Sequence, residues 1–333
     1  MTGITEALAL MSGTDQQKAE GLRMLRRLAD AGDTEACLRL GTMYLDGNGV
    51  SQDPEQGARF IKIAADRGDP EALFVMGTVY EYGDGVEQSY EKAAECYGKA
   101  SDAGSVDATY ALGDLYASGS GVEKDEKKAR ELYLSSASRG NPEAQHMMGT
   151  IKRYGLDGED ADLAMAMEWF CRSAEKNYGP AQNDIGEMFE QGLGVKPDME
   201  KAVKWYDLAA ANGNARALCN LGYLYSDGSY FEKDMKRSFE CYLKAANLGD
   251  DFAQLNVGQA YMTGDGVEPD ASEAFKWYSL SASQGNPYAM YNLAGMYENG
   301  DGVKKDVQRA RELYEMAAEQ GMESAKDDAE RLS

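Results

Sequence analysis

An alanine recurs every 36 residues along most of this chain, and that register constrains the fold more than any other feature. Ala36, Ala72, Ala108 and Ala144 are spaced by 36; one extra residue intervenes, and the series resumes at Ala181, Ala217, Ala253, Ala289 and Ala325. Self-similarity at this period is the signature of tandem supersecondary units. Four to five residues after each alanine stands a pair such as Leu40-Gly41, Met76-Gly77, Leu112-Gly113, Ile185-Gly186 or Leu221-Gly222. Three residues further comes an aromatic, as in Tyr44, Tyr80, Tyr116, Phe189, Tyr225, Tyr261 and Tyr297. These offsets fall on one stripe of a helix, here named helix A. A glycine inside a helix costs about 1 kcal/mol, which close approach of a neighbouring helix would offset.

Helix A ends in a G-x-G-V loop at Gly47, Gly83, Gly119, Gly192, Gly264 and Gly300. The two glycines permit the left-handed turns that stop a helix and reverse the chain. Asp53, Asp125, Asp198, Asp270 and Asp306 follow, each three residues after the valine, as N-caps of a second helix, B. Helix B carries a second stripe of small and large residues, as in Lys128-Ala129, Leu132-Tyr133 and Ser136-Ala137, or Lys201-Ala202, Trp205-Tyr206 and Ala209-Ala210. Gly68, Gly104, Gly140, Gly213, Gly249, Gly285 and Gly321 close it. Asp69-Pro70, Asn141-Pro142 and Asn286-Pro287 then open the next helix A. One hairpin cannot bury both stripes, but stacked hairpins can.

The spacing therefore predicts an all-α solenoid running through residues 1–333 as a single domain. Eight helix–loop–helix units of about 36 residues span 34–321, with a partial capping repeat at 1–33 and a charged closing helix at 322–333. Two units depart from the pattern. Around Met148-Gly149 the aromatic is replaced by Lys152, the loop reads Gly155-Leu156-Asp157-Gly158, and Asn177 stands for the closing glycine. Around Leu221-Gly222 the loop reads Gly228-Ser229-Tyr230-Phe231, with Phe231 expected in the valine's socket and Tyr230 expected at the surface.

The run Ala-x-x-x-Leu-Gly-x-x-Tyr-x-x-Gly-x-Gly-Val-x-x-Asp-x-x-Lys-Ala-x-x-Trp-Tyr-x-x-Ala-Ala-x-x-Gly, nearly complete from Ala181 to Gly213, resembles the Sel-1-like repeat, a relative of the tetratricopeptide repeat. The resemblance implies a right-handed superhelix with helix A on the concave side, and a role as adaptor or scaffold for a protein or peptide. In that register, outward positions lie two, six, nine and ten residues after the alanine. They place Phe74, Tyr82 and Tyr110 in the groove of the first half, then His146, Arg153 and Tyr154 in the irregular unit. In the second half they place Asn183, Glu187, Tyr223 and Tyr291 there. Aromatic residues with a polar handle suit protein recognition; the alternative for some of them is packing against the next helix A. A row three residues after the alanine carries Asp184, Asn220, Asn256 and Asn292. Amides at one height could clamp the backbone of an extended peptide or satisfy bonds between helices.

Chemistry-bearing patterns are sparse. A single histidine, His146, allows no HExxH pair and one candidate imidazole. Ser89-Tyr90-Glu91-Lys92 spells S-x-x-K, but Ser89 falls on an N-cap and Lys92 on the repeat lysine. No phosphate-cradling loop is visible. The paired carboxylates Asp265/Asp270 and Asp301/Asp306 lack the ligand spacing of a calcium loop. The sequence thus points to a non-enzymatic binder without cofactor or metal, and the alternative is an enzyme subunit with a groove site near His146. A net charge of −23, from 57 acidic and 34 basic residues, opposes nucleic acid and anionic membranes as partners. Five widely spaced cysteines read as free thiols of a reducing, cytoplasmic compartment. A secreted or periplasmic form would need a removed signal peptide. No apolar run approaches the roughly 20 residues that span a bilayer, and a monomer is expected.

Overall fold

A computed structural model describes residues 2–156, 158 and 160–333; Asp157 of the irregular loop lies outside them. The described residues form nineteen α-helices without strands. By contact density the chain divides into two compact units, Met1–Arg172 and Ser173–Ser333. The first holds α1 (Thr2–Met11), α2 (Asp15–Asp30), α3 (Thr34–Asp46), α4 (Pro54–Ala65), α5 (Pro70–Tyr82), α6 (Tyr90–Asp102), α7 (Val106–Ser118), α8 (Glu126–Ser138) and α9 (Pro142–Tyr154). The boundary falls within α10 (Leu163–Ala174). The second holds α11 (Gly179–Gln191), α12 (Met199–Ala211), α13 (Ala215–Asp227), α14 (Met235–Asn247), α15 (Asp251–Thr263), α16 (Ala271–Ser283), α17 (Pro287–Asn299), α18 (Val307–Glu319) and α19 (Glu323–Arg331). From α1 to α9, and again from α11 to α19, each helix packs against its chain neighbours.

The alanine row forms the spine: all nine, from Ala36 to Ala325, are 0% exposed. Nothing larger than a methyl fits where three helices meet. In seven of the eight hairpins a helix-A glycine receives a large helix-B side chain, and in the last that position is the buried Ala294. A Cβ at Gly186 would lie 2.5 Å from Tyr206 Cε1, and one at Gly258 would lie 2.6 Å from Tyr278 Cδ1. Gly41, Gly77, Gly113 and Gly149 face Ile61, Tyr97, Tyr133 and Phe170 in the same way. The glycine is thus a socket for the ring, as its helix-propensity cost suggested.

The loop is fixed from both ends. Gly47, Gly83, Gly119, Gly192, Gly264 and Gly300 are left-handed C-caps, each with φ between 70° and 88°. Asp53, Asp125, Asp198, Asp270 and Asp306 accept backbone N–H groups at the start of helix B. Each cap residue also donates its own N–H to the carbonyl of the helix-A aromatic, as Asp198 does to Phe189 at 2.9 Å. The irregular unit keeps this bond: Asp162 donates to Lys152 O at 2.8 Å, although the ring is missing. The repeat lysine covers the aromatic, with Lys128 Nζ 4.0 Å from the Tyr116 ring centre.

The second loop glycine does more than turn the chain. Side-chain atoms on Gly121, Gly266 or Gly302 would run into the first backbone turn of the preceding helix B, at Tyr90, Met235 and Ala271 respectively. In the unit at Leu221 this position is Tyr230, 41% exposed, and Phe231 stacks on Tyr225 at 4.5 Å, half-buried as expected of the valine's replacement. Asn177 takes the left-handed conformation at φ 59°, alone among described non-glycine residues.

The five thiols are free, with Cys37 and Cys219 buried. No helix among the described residues is long and apolar enough to cross a membrane. Helix α19 closes the second unit: Arg331 makes a two-pronged ion pair with Glu298, and Tyr291 donates its hydroxyl to Asp328 at 2.9 Å.

The two kinds of glycine should respond differently to alanine. Gly258→Ala strains the seat of Tyr278 but gains helix propensity, for a net loss of about 1–2 kcal/mol. Gly266→Ala combines a positive φ with a backbone clash and should lose about 2–4 kcal/mol. Urea denaturation of each variant measures the difference.

Candidate functional site

The A helices of each unit carry most of the residues that sequence reasoning selects, and the structure sorts them by accessibility. In the first unit Tyr82 is 69% exposed at the end of α5. Phe74 and Tyr110 are half-buried, their rings held at 5.8 Å from Tyr97 and 5.6 Å from Tyr133. Together Phe74, Tyr82, Tyr97 and Tyr110 wall a cavity of about 290 Å³. Further along, Tyr154 is 59% exposed and lies under the Arg153 guanidinium at 5.2 Å. Arg153 itself is buried, contrary to its expected outward position. His146 is half-buried against Phe170, 5.5 Å between ring centres, which places its imidazole in the hairpin's own packing.

In the second unit the outward reading needs more correction. Asn183 and Glu187 are buried, because the next helix A covers them. Asn183 donates to Glu187 at 3.0 Å, Asn220 donates to Asn183 at 3.0 Å, and Arg216 pairs with Glu187 at 3.0 Å. The amide row is therefore not one uniform ladder. Asn220 joins helices α11 and α13, Asn256 donates back to Phe252 O at 2.8 Å, and Asn292 hydrogen-bonds the Tyr278 hydroxyl. Tyr291 is half-buried and engaged by α19. Tyr223 remains open to solvent at 57%.

A second role for two of the outward offsets escaped the sequence reading. Every core tyrosine of helix B finds an acceptor or partner six or nine residues after the helix-A alanine. Tyr97 donates to Glu81 at 2.6 Å, Tyr133 to Asp114 at 2.7 Å, Tyr206 to Glu190 at 2.5 Å, and Tyr278 to Gln259 at 3.1 Å. Tyr314 donates to Glu298 at 3.2 Å, and Tyr242 shares a bond with Ser226. The signal was present as a polar residue at those two offsets, but only the geometry links it to a hydroxyl one helix away. Burial raises the Asp114 carboxyl above the usual carboxylate range, against the bonds from Tyr133 and Tyr110. Burial likewise pushes the phenols of Tyr242 and Tyr278 up to about 12.

The arrangement can present aromatic faces, carboxylates and amides on a rigid support. The family model for the Sel1 repeat matches eight consecutive segments, 34–69, 70–105, 106–141, 142–178, 179–214, 215–250, 251–286 and 287–322. The chain belongs to the Sel1 repeat family. Sel1 repeat proteins are typically protein-interaction scaffolds. Among solved structures, the chain is similar to c5321, described as a protective antigen present in uropathogenic Escherichia coli strains. The identity is 31% over 98% of this chain and 70% of that one, with a TM-score of 0.60. A Sel1 repeat protein from Oxalobacter formigenes is 28% identical over 99% of this chain and 93% of its own, with a TM-score of 0.63. The immunity protein PA5088 from Pseudomonas aeruginosa shares the fold at 20% identity, over 64% of this chain and 80% of that one, with a TM-score of 0.51. No curated protein matches the chain in a sequence comparison.

The core tyrosines make stability fall at high pH. An ordinary phenol titrates near 10, whereas Tyr278 in the folded chain holds its proton to about 12. Its stabilisation is complete below about pH 10 and is lost as pH rises toward 12. Between pH 9 and 11 each such tyrosine should cost about 1 kcal/mol. Tyr278→Phe should remove its share of that slope, read as the difference between wild-type and variant urea midpoints at the two pH values.

Proposed function

We propose that this Sel1 repeat protein is an adaptor that holds a protein or peptide partner on the surface of its A helices. The carrying observation is the exposure of Tyr82, Tyr154 and Tyr223, at 69%, 59% and 57%. All three sit on helices anchored by fully buried alanines, so a partner meets large rings that lose little freedom on binding. The buried network of Asn183, Glu187 and Asn220 acts in this reading as a support that fixes the angle of neighbouring helices. His146 is accounted for by its packing on Phe170, so an enzyme site there gains no support from its surroundings. The five free thiols favour a reducing compartment. Surface exposure is the second reading, favoured by the likeness to the E. coli protective antigen; digestion of intact cells with added protease separates the two.

The test is affinity capture with the intact chain, followed by titration of the captured protein in purified form. Replacing Tyr82, Tyr154 and Tyr223 together by alanine should weaken binding at least about tenfold, because exposed aromatics at interfaces commonly carry more than 1 kcal/mol each. Circular dichroism should be unchanged, since none of the three is in the core. Undiminished affinity of the folded variant would sink the assignment of this surface.

A further inference from the structure

The aromatic cavity of the first unit has a chemistry that narrows what enters it. Its walls are the rings of Phe74, Tyr82, Tyr97 and Tyr110. Its charged lining is Glu81, Asp107, Asp114 and Glu143, and no lysine or arginine is among the lining residues. Three of these four carboxylates are held in place by neutral donors. Glu81 accepts from Tyr97 at 2.6 Å, Asp114 from Tyr133 at 2.7 Å, and Asp107 from the Asn141 amide at 2.9 Å. Their positions are thus fixed while their charge has no cationic partner in the cavity. The raised proton affinity of Asp114 reflects that burial. Another cavity of the same unit differs in that its two carboxylates, Asp66 and Glu95, stand beside three lysines, Lys62, Lys92 and Lys99.

An opening of about 290 Å³ lies at the small end of ligand pockets and suits one long side chain better than a helix or a folded surface. Rings and carboxylates around one space attract a cation in two ways. The ring faces favour it by their quadrupole, and a desolvated carboxylate forms a short charge-assisted bond with it. A guanidinium satisfies both at once, since it is planar enough to stack and forked enough to bond a carboxylate through two N–H groups. We propose that the Phe74–Tyr82–Tyr110 cavity is a socket for an arginine side chain, presented by an extended basic segment of the protein partner. This rests on the adaptor reading and specifies the partner's chemistry. The net charge of −23 speeds the approach of such a segment.

The probe is an acetylated, amidated Ala-Ser-Arg-Ser-Ala peptide, with citrulline, lysine and glutamate in place of arginine as comparisons. Binding to the full chain is followed by amide NMR. The arginine peptide should shift Phe74, Tyr82, Tyr110 and Asp114 in a saturable way and weaken as salt rises from about 0.05 to 0.3 M. The citrulline peptide, which keeps the shape but not the charge, should bind at least about tenfold more weakly. Tyr82→Ala, at an exposed position that the core does not use, should reduce arginine binding at least about fivefold, as should Asp114→Asn. Equal binding of arginine and citrulline, binding of lysine as tight as arginine, or shifts confined to other helices would overturn the socket. Should the captured partner depend on Tyr82 while no arginine peptide binds, the socket falls and the adaptor reading stands. Saturable arginine binding with a partner indifferent to the three tyrosines would keep the cavity's selectivity for arginine but overturn its use by that partner, together with the adaptor surface.

Discussion

The seat of a large helix-B side chain, most often a ring, on the bare backbone of helix A is the contact that the rest of seven of the eight hairpins depends on. Burying such a side chain is worth roughly 2–3 kcal/mol, but only if the two axes come close enough for the ring to meet backbone atoms. The glycine allows that approach, and the buried alanine five residues earlier allows it on the other side. The ring then brings a hydroxyl into the core, which must find an acceptor. Glu81, Asp114, Glu190 and Glu298 supply it from helix A. The polar side of helix A is therefore partly a consequence of how the core is packed. Where the ring changes, the demand disappears: Ile61 and Phe170 carry no hydroxyl, and Gly41 and Gly149 receive them without such a tie.

Between hairpins backbone contact adds to the apolar packing of side chains. The second loop glycine lies on the first turn of the preceding helix B, so loop and helix start are joined with no side chain between them. Polar ties reinforce the joint. Gln182 and Gln254 reach back to the last turn of the helix before them, at Ala174 and Ala246. These amides add a second donor to carbonyls that the turn already bonds through Asn177 and Gly249. All are local in sequence, so each repeat stabilises its neighbours.

The helices, their caps and the alanine row were legible because each follows from residues within one turn of the other. Asp198 caps α12 by reaching three residues ahead, and Gly192 ends α11 by its own φ; neither needs knowledge of the fold. The unusual loop at Tyr230-Phe231 was legible for the same reason. Burial of Asn183 and Glu187 was not, because it depends on Arg216 and Asn220 from the next repeat. A register borrowed from a related repeat predicts which way a residue points from its own axis. It does not predict whether the neighbouring helix lies over it. Tyr291 illustrates the point, since its outward position is occupied by α19. The hydroxyl acceptors were hidden differently. They stand at two of the offsets taken as outward, six and nine residues after the alanine, and only the packed hairpin shows a ring hydroxyl facing them.

The same core rule yields different surfaces in the two units. In the first, Glu81 and Asp114 bind tyrosine hydroxyls and remain beside an aromatic cavity with no cation in its lining. In the second, Glu187 is neutralised by Arg216 and tied to amides, which turns a charged position into a support. A structural acceptor becomes available to a ligand only where the sequence omits the internal cation. Arg216 stands one residue before its repeat alanine, and at the same position the first unit has Asp107 and Glu143, which line the cavity. The core need not change for that, since the alanines, the glycine seat and the ring are common to both.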